Sequence, residues 1–193
     1  VAKKYDINLI FHTLKNNKTP DRKLFDGIDF CINRTRYFSI NDIAEEMDIR
    51  CFNNRDSVKI FNDKWFTYLL CSDLGIPTID TVKIDASCDA PFDYPFVIKS
   101  RNGHGGNEVF RIDNEQDFKS FSFGNPSGYI AQRFATDPGT DVRIYVLGDK
   151  PIAAVKRTSE CDFRSNFSLG GKVELFKPTE EQLSAIRKLR SVI

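Results

Sequence analysis

Residues 95–106 have the sequence PFVIKSRNGHGG, which puts a lysine near the end of an apolar strand and a glycine-rich turn directly after it. Phe96–Ser100 is predicted to be this strand, and Val109–Ile112 is predicted to be the strand that returns from the turn. Glycines allow a backbone to approach a phosphate closely and to expose its N–H groups. The segment therefore has the composition of a phosphate-binding hairpin, with Lys99 as the cation on the incoming strand.

Two other kinds of phosphate-binding loop do not fit this segment. A Walker loop ends in Gly-Lys-Ser or Gly-Lys-Thr and leads into a helix, and neither feature is present here. A dinucleotide-binding fingerprint requires a glycine where this chain has Glu108, and it also leads into a helix. A plain hairpin with a flexible tip remains an alternative, because glycine clusters are common in turns. For His104, at the tip, no catalytic role is expected.

A second group of cations lies further along the chain. Arg143 falls on one strand of a hairpin predicted over 141–147 and 151–157, on the same face as Tyr145, and Lys156 and Arg157 end the other strand. Like charges on paired strands repel unless an anion lies between them, and the planar guanidinium suits phosphate or carboxylate. Arg164 and Asn166 add donors on a loop that ends in glycines. A solvated sheet face with scattered cations is the alternative interpretation.

The remaining pattern alternates strands and helices, which is typical of an α/β protein. A helix is predicted to begin at Asn62 or Asp63 as its N-cap and to end at Gly75. Further helices are predicted from Ser39, over 113–121 and from Thr179. Further strands are predicted over 7–11, 28–32, 49–52, 79–84, 129–134 and 173–176.

Composition restricts the functional classes. The 193 residues include 28 basic and 27 acidic side chains, a net charge of +1, which lacks the strongly basic balance of a duplex nucleic-acid binder. The five cysteines are widely spaced and only two histidines accompany them, so neither a zinc site nor a disulfide framework is expected. They are expected to be buried free thiols. No apolar run has the length of a membrane span, and a cytoplasmic location is expected.

Taken in order, these segments resemble the ATP-grasp superfamily, most closely its RimK-type α-L-glutamate ligases. The resemblance is carried by FNDKWFTYLLCSDLGIPTIDT at 61–81, the lysine and glycine segment at 95–106, and YIAQRF at 129–134. GTDVRIYVLGDKPIAAVKR at 139–157 and DFRSNFSLGG at 162–171 complete it. It implies an α/β (α+β) protein with an ATP-grasp fold and a preceding small α/β domain over 1–58. The two ATP-grasp subdomains are expected over 59–126, which carries the glycine lid, and 127–193.

The resemblance also implies roles for individual residues. ATP contacts are expected from the phosphate lysines, the lid glycines, the strand beside the adenine, an acidic residue on the ribose side and a serine near the γ-phosphate: Lys64, Lys99, Gly103, Gly105, Gly106, Gln132, Arg133, Phe134, Asp141 and Ser165. Arg133 replaces the acidic residue usual at its position. Arg164 and Asn166 are expected near the γ-phosphate, and Arg143 and Arg157 near the carboxylate substrate or its acyl phosphate; these four are the expected catalytic residues.

The family binds magnesium through an Asp and a Glu-x-Asn triplet that follow its last helix. This sequence ends at Ile193, within or just after the corresponding helix, so its Mg²⁺ ligands are expected beyond the given C-terminus. The chain is accordingly expected to be truncated there, and also to lack the first strand of the leading domain.

The activity implied by the resemblance is that of an ATP-dependent carboxylate–amine ligase. The carboxylate would attack the γ-phosphorus of ATP to form an acyl phosphate, and an amine would then displace phosphate to give an amide or peptide bond. An amino acid or peptide is the expected substrate. A non-catalytic nucleotide- or partner-binding ATP-grasp domain and an ATP-grasp kinase are the alternatives. The sequence identifies neither the individual substrates nor the oligomeric state.

Overall fold

The computed structural model describes residues 2–14, 20–125, 127–148, 150–159, 162–164 and 172–192. The chain divides into two compact units, Val1–Lys59 and Ile60–Ile193. The finer division of the second unit at 126/127 stays a prediction.

The first unit is a small α/β layer. Strands β1 (Phe30–Ile32) and β2 (Arg50–Phe52) pair in parallel, and helix α1 (Ser39–Glu46) connects them. A crossover helix is the usual way to join parallel neighbours. The helix buries one apolar face against the layer, in a core of Phe25, Ile40, Ile43 and Ala44. Short 3₁₀ helices at Ala2–Tyr5 and Arg22–Phe25 and helix α2 (Arg55–Phe61) complete the regular structure described for residues 1–61.

Two expectations for the sequence were wrong. Residues 7–11 form no strand, and Leu9, Ile10 and Phe11 are exposed. An apolar run becomes a strand only when a neighbouring strand satisfies its backbone groups, and none pairs with it in the described residues. Four cysteines are free as expected, but they are half-buried (Cys31, Cys51, Cys71) or exposed (Cys88) rather than buried. Cys161 lies outside the described residues.

The second unit opens with helix α3 (Lys64–Asp73) and a four-stranded antiparallel sheet. Its strands are β3 (Thr81–Ile84), β4 (Phe96–Ser100), β5 (Val109–Ile112) and β6 (Tyr129–Arg133), in the spatial order β3-β6-β4-β5. Helix α4 (Glu115–Ser120) connects β5 to β6. The hairpin predicted around the glycine-rich turn is therefore confirmed as β4 and β5.

Alternation along β4 divides the sheet into two chemically different faces. Phe96 and Ile98 point into an apolar core with Ile84, Ile112 and Phe118. Val97 and Lys99 point to the opposite face, where Gln132 of β6 is the register partner of Val97. The aromatic core beneath thus supports a polar upper face that carries the lysine.

A second, three-stranded sheet follows in the order β7-β8-β9. Strands β7 (Thr140–Leu147) and β8 (Lys150–Thr158) form the predicted hairpin, and β9 (Lys172–Leu175) pairs with β8. Helix α5 (Glu180–Arg190) begins with a capping box between Thr179 and Gln182. None of the helices in the described part of the chain has the length and apolar character needed to cross a membrane.

Candidate functional site

A cleft of ≈ 280 Å³ lies against the polar face of the first sheet, within the second unit. We call it the lysine cleft. Its lining includes several residues that the sequence assigned to nucleotide binding or catalysis: Lys64, Lys99, Gly106, Gln132, Arg133, Phe134 and Arg164. Apolar residues complete the wall: Ile79, Val97, Val109, Ala135, Pro138 and Phe163. A lining that combines cations with apolar and aromatic surface is the feature expected of a site for an anionic group attached to a flat ring.

Lys99 is the most deeply buried cation of the cleft. Its ammonium donates a hydrogen bond to Oε1 of Gln132, whose amide nitrogen donates to Thr81 Oγ1 at 2.9 Å. Burial, together with the neighbouring charge of Lys64, lowers the pKa of Lys99 to about 8. An ammonium with a neutral partner and a like-charged neighbour gains most from an added anion, so this geometry favours phosphate.

Lys64, at the first turn of α3, reaches the residues that connect β4 to β5. We call residues 101–108 the glycine loop. The Lys64 ammonium donates to the carbonyls of Ser100 at 3.0 Å, Arg101 at 3.4 Å and Gly103. Burial lowers the pKa of Lys64, and the carboxylates of Glu108 and Asp63 partly oppose this effect.

Asp63 fixes the start of α3 and joins it to the glycine loop. As the N-cap it accepts hydrogen bonds from the backbone N–H groups of Trp65 and Phe66 at 2.9 and 3.5 Å. The same carboxylate receives two hydrogen bonds from the Arg101 guanidinium, at 2.6 and 3.2 Å. The predicted choice between Asn62 and Asp63 as the cap is thus resolved in favour of Asp63.

Gly103 is required by a close approach inside the loop. It is buried, and a Cβ at this position would lie 2.6 Å from Oε2 and 2.9 Å from Cβ of Glu108. Glu108 is held in turn by Asn125, whose amide donates to it at 3.3 Å and also to Ser100 Oγ. Gly105 and Gly106 have positive φ at the outer part of the loop. Any larger side chain at 103 would displace Glu108 and the carbonyl that Lys64 binds.

Arg164 meets the glycine loop from the other side of the cleft. It donates a 2.8 Å hydrogen bond to the Gly106 carbonyl and pairs with Asp162. The hydrogen bonds of this pair lower the pKa of the Asp162 carboxyl and raise that of the guanidinium, so both groups stay charged. The loop is thus held between Lys64 and Arg164, which are distant in sequence.

Gly139 brings the Arg164 segment into position. Its φ is +80°, and a Cβ there would lie 2.8 Å from the Ser159 carbonyl and 3.0 Å from that of Asp162. Its own N–H donates to the carbonyl of Phe163 at 2.8 Å. Only glycine allows two backbone segments to approach so closely with this φ.

The apolar side of the cleft contains two aromatic rings. Phe134 and Phe163 lie with centroids 5.8 Å apart, and the Arg111 guanidinium covers Phe134 at 4.8 Å. Arg133, the residue that departs from the family pattern, turns its side chain to Asp80 at 2.9 Å and to the ring of Phe92 at 4.9 Å.

The predicted hairpin residues are arranged differently. Asp141 and Arg157 are register partners in β7 and β8 and form an ion pair with two hydrogen bonds. That pairing raises the pKa of Arg157. Arg143 is exposed on the same face, and none of these three residues lines the lysine cleft. Ser165 and Asn166 lie outside the described residues. The expected roles of all five stay predictions.

Sequence reasoning missed the residues that hold the cleft together. Asp63 was considered only as a helix cap, and Arg101 and Glu108 were given no role. The apolar wall could have been found from strand alternation, because Val97 lies two residues before Lys99 and therefore on its face. The pairing of Asp63 with Arg101 has no such signal, since 38 positions separate them.

Other parts of the chain offer less for a nucleotide. A larger cavity of ≈ 570 Å³ in the first unit is lined by acidic and basic side chains together, and its Arg55 is already paired with Asp42. Within the described segments, no group of three or more His, Cys, Asp or Glu side chains is placed to hold a metal ion.

Residues 76–190 match the model of the RimK-like ATP-grasp domain, which is more than half of the chain. The chain therefore belongs to the RimK-like ATP-grasp family, and the resemblance stated from the sequence is confirmed.

Individual relatives agree with this assignment. The chain is 32% identical over 165 residues to the "Uncharacterized protein MG011 homolog" of Mycoplasma pneumoniae, covering 85% of the chain and 57% of that protein. It is 30% identical over 195 residues to the alpha-aminoadipate–LysW ligase LysX of Saccharolobus solfataricus, covering 95% of the chain and 71% of that ligase. The chain thus spans little more than half the length of the first of these relatives.

Solved structures show the same fold. The D-alanine–D-alanine ligase of Bacillus anthracis, complexed with ATP, superposes with a TM-score of 0.69 at 14% identity, covering 96% of this chain and 68% of that one. The predicted α/β ATP-grasp fold is confirmed by this likeness.

Proposed function

We propose that this chain is the nucleotide-binding part of an ATP-dependent ligase that joins a carboxylate to an amine. One observation carries the proposal: the ammoniums of Lys99 and Lys64 meet in one cleft, and burial lowers both pKa values. Two desolvated like charges in one cleft are costly unless a multivalent anion lies with them. Membership of the RimK-like family supports the identification of this anion as the triphosphate of ATP.

Different residues of the cleft would bind different parts of ATP. Phe134, Phe163 and the apolar wall form the surface for the adenine ring, while Lys99 and Lys64 neutralise phosphate oxygens. Arg164, which donates to the Gly106 carbonyl, would stabilise charge that builds on the transferred phosphoryl group. The glycine loop lies between these cations and would exclude water, which would otherwise hydrolyse an acyl phosphate.

The proposal includes bound magnesium but not its protein ligands. When bound, the ion neutralises the charge of the β- and γ-phosphates during phosphoryl transfer. The described residues offer no cluster of ligands for it, so we assign none of them to this role and derive no step through the ion.

An amino acid or peptide is the substrate class that we propose for the carboxylate. The named relatives support it, since they are an alpha-aminoadipate–LysW ligase and a D-alanine–D-alanine ligase. Arg143 and Arg157 remain our candidates for contacts to this substrate. We also propose a cytoplasmic location, where ATP and free amino acids are both present.

Replacement of Lys99 tests the nucleotide site. Lys99→Met keeps the length of the side chain and removes the charge, and we expect ATP affinity to fall at least about 30-fold, since unpairing one partner of a buried charge contact costs ~2 kcal/mol or more. Isothermal calorimetry of this chain with ATP and magnesium measures the effect. Lys119→Met is the matched control, because Lys119 lies on the surface of α4 in an exposed pair with Glu115. Equal ATP affinity in the wild type and Lys99→Met would refute the site.

The reaction is tested in the full-length protein. We expect phosphate release from ATP only when a carboxylate and an amine are both supplied, and we expect Lys99→Met to abolish it. Phosphate release without any need for an amine would point to a kinase instead. Tight ATP binding with no turnover under any substrate combination would point to a binding domain.

A further inference from the structure

The Lys64 ammonium is fully used by backbone carbonyls at the end of β4 and in the glycine loop. An ammonium has three N–H donors, and the carbonyls of Ser100, the last residue of β4, and of Arg101 and Gly103 in the loop accept hydrogen bonds from it. In this conformation Lys64 therefore holds the loop in place while its positive charge still faces the lysine cleft. The position of that charge depends on whatever fixes these three carbonyls.

Arg101 helps to fix this arrangement from outside the cleft. Its side chain is 21% exposed, that of Asp63 is 13% exposed, and they are joined by two nearly parallel hydrogen bonds. The Arg101 carbonyl also accepts a 3.0 Å hydrogen bond from the backbone N–H of Lys64, and its N–H donates to Gly128 at 3.1 Å. Arg101 does not line the cleft.

The surroundings of the guanidinium leave it little freedom. It lies over the ring of Phe66 at 5.5 Å, so one face is covered by α3 and the Nε and Nη2 donors are taken by Asp63. A half-buried pair with two-point geometry is the kind of ion pair that orders a chain segment, in contrast to a single exposed contact. Asp63 is itself fixed by its role as the cap of α3.

We propose that Arg101 is a positioning residue for nucleotide binding: held by Asp63, it clamps the glycine loop to the start of α3 and thereby sets the place of the Lys64 ammonium. The proposal rests on the function given above for the part that concerns ATP. The clamp itself is a property of the free protein. If the clamp is lost, the Arg101 and Gly103 carbonyls are no longer held at the Lys64 ammonium. The glycine loop then opens, and Lys64 and Lys99 no longer bind one triphosphate together.

Hydrogen exchange of the free protein tests the clamp without any nucleotide. In Arg101→Met we expect the amides of residues 102–107 to exchange about ten-fold faster or more, while those of β4 and β6 keep wild-type rates. Asp63→Asn should give the same result and keeps the helix cap, because asparagine caps as well as aspartate. Arg187→Met, which breaks the exposed pair of Arg187 with Glu180 on α5, should leave the loop unchanged.

Wild-type exchange of the loop in both Arg101→Met and Asp63→Asn would overturn the clamp. If Arg101→Met does not fold, Asp63→Asn alone decides, since it preserves both the cap and the side-chain volume.

The consequence for nucleotide is measured in the active full-length protein. We expect KM for ATP to rise at least about five-fold in Arg101→Met with less than about a two-fold change in kcat, and Arg101→Lys to recover part of the loss. A merely structural defect would reduce the folded fraction, which lowers apparent kcat and leaves KM unchanged. Unchanged KM with a faster-exchanging loop would refute the link to binding, whereas a wild-type protein that binds no ATP would refute only the proposed function.

Discussion

The lowered pKa of Lys99 predicts that the proposed nucleotide binding depends on pH. The pKa of Lys99 in the free protein is about 8, below the ordinary lysine value of 10.5, because burial and the charge of Lys64 disfavour the ammonium. Phosphate binding favours the ammonium and takes up a proton wherever Lys99 is neutral beforehand. We therefore expect ATP affinity to be constant well below pH 8 and to fall by about ten-fold per pH unit above it. Calorimetry in buffers of different ionisation enthalpy measures both the affinity and the proton uptake.

The variant Lys99→Met separates this effect from the titration of Lys64, whose pKa burial also lowers. If Lys99 is responsible, the ATP affinity that remains in Lys99→Met loses most of its pH dependence between pH 7.5 and about 9.

The effect of Lys99 on folding stability has the opposite sign to that of a lysine in an ion pair. Since the folded-state pKa is below the unfolded one, Lys99 disfavours folding below about pH 8 and this cost disappears as pH rises toward 10.5.

At the scale of elements, the hairpin β7–β8 and the segment that carries Arg164 are joined through Gly139. We expect Gly139→Ala to lower the free energy of unfolding by roughly 2–3 kcal/mol, because it adds a left-handed strain of about 1–2 kcal/mol to contacts at 2.8 and 3.0 Å with two carbonyls. Urea denaturation measures the loss. We also expect weaker ATP binding, since Phe163 and Arg164 move with this contact.

Gly148→Ala is the control for strain alone. Its φ is +57°, and nothing lies within 4 Å of a Cβ placed there, so only the cost of about 1–2 kcal/mol for the left-handed backbone applies. Equal destabilisation by the two substitutions would show that the close approach at Gly139 has no energetic weight.

Other elements of the fold show how much of it can be predicted from the sequence. The strand with Lys99, the glycine loop and the capped helix α3 were predicted because each has a local signal: alternation, a glycine cluster, and an N-cap before an apolar stripe. Helix α2 was not predicted, and residues 7–11 were assigned to a strand that is absent. Residues 7–11 have the apolar pattern of a strand, but a strand forms only beside a partner strand. No local pattern in the sequence indicates whether that partner is present.

The candidate site was likewise predicted only in part. Lys99 and Arg164 were proposed from residue type and order and Lys64 from the family resemblance, and all three lie along one cleft. Their mutual support was not identified. The carbonyls around Lys64 and the pairing of Asp63 with Arg101 depend on backbone positions brought together by folding. Asp141 and Arg157 show the converse, because two residues given separate roles are bonded to each other.

At the scale of the whole molecule, the lysine cleft belongs to one of the two units. Every residue that lines it lies within Ile60–Ile193, and so does the aromatic core beneath β4. We therefore expect a polypeptide of residues 54–193, which keeps α2 whole with Asn54 as its cap, to fold alone. A unit of about this size buries enough surface to be stable by itself. It should unfold in one cooperative transition and bind ATP within about three-fold of the affinity of the 193-residue chain.

Circular dichroism during thermal unfolding and calorimetry with ATP provide the two measurements, and the same polypeptide carrying Lys99→Met is the control for specific binding. A cooperative transition with ATP affinity lost would mean that the first unit supplies part of the nucleotide site. A broad transition would mean that the second unit needs the first one to reach its packed state. Retention of both the cooperative transition and the ATP affinity would mean that the first unit has a role other than holding ATP. Chimaeras that exchange residues 1–53 would then show whether this unit determines the choice of carboxylate and amine.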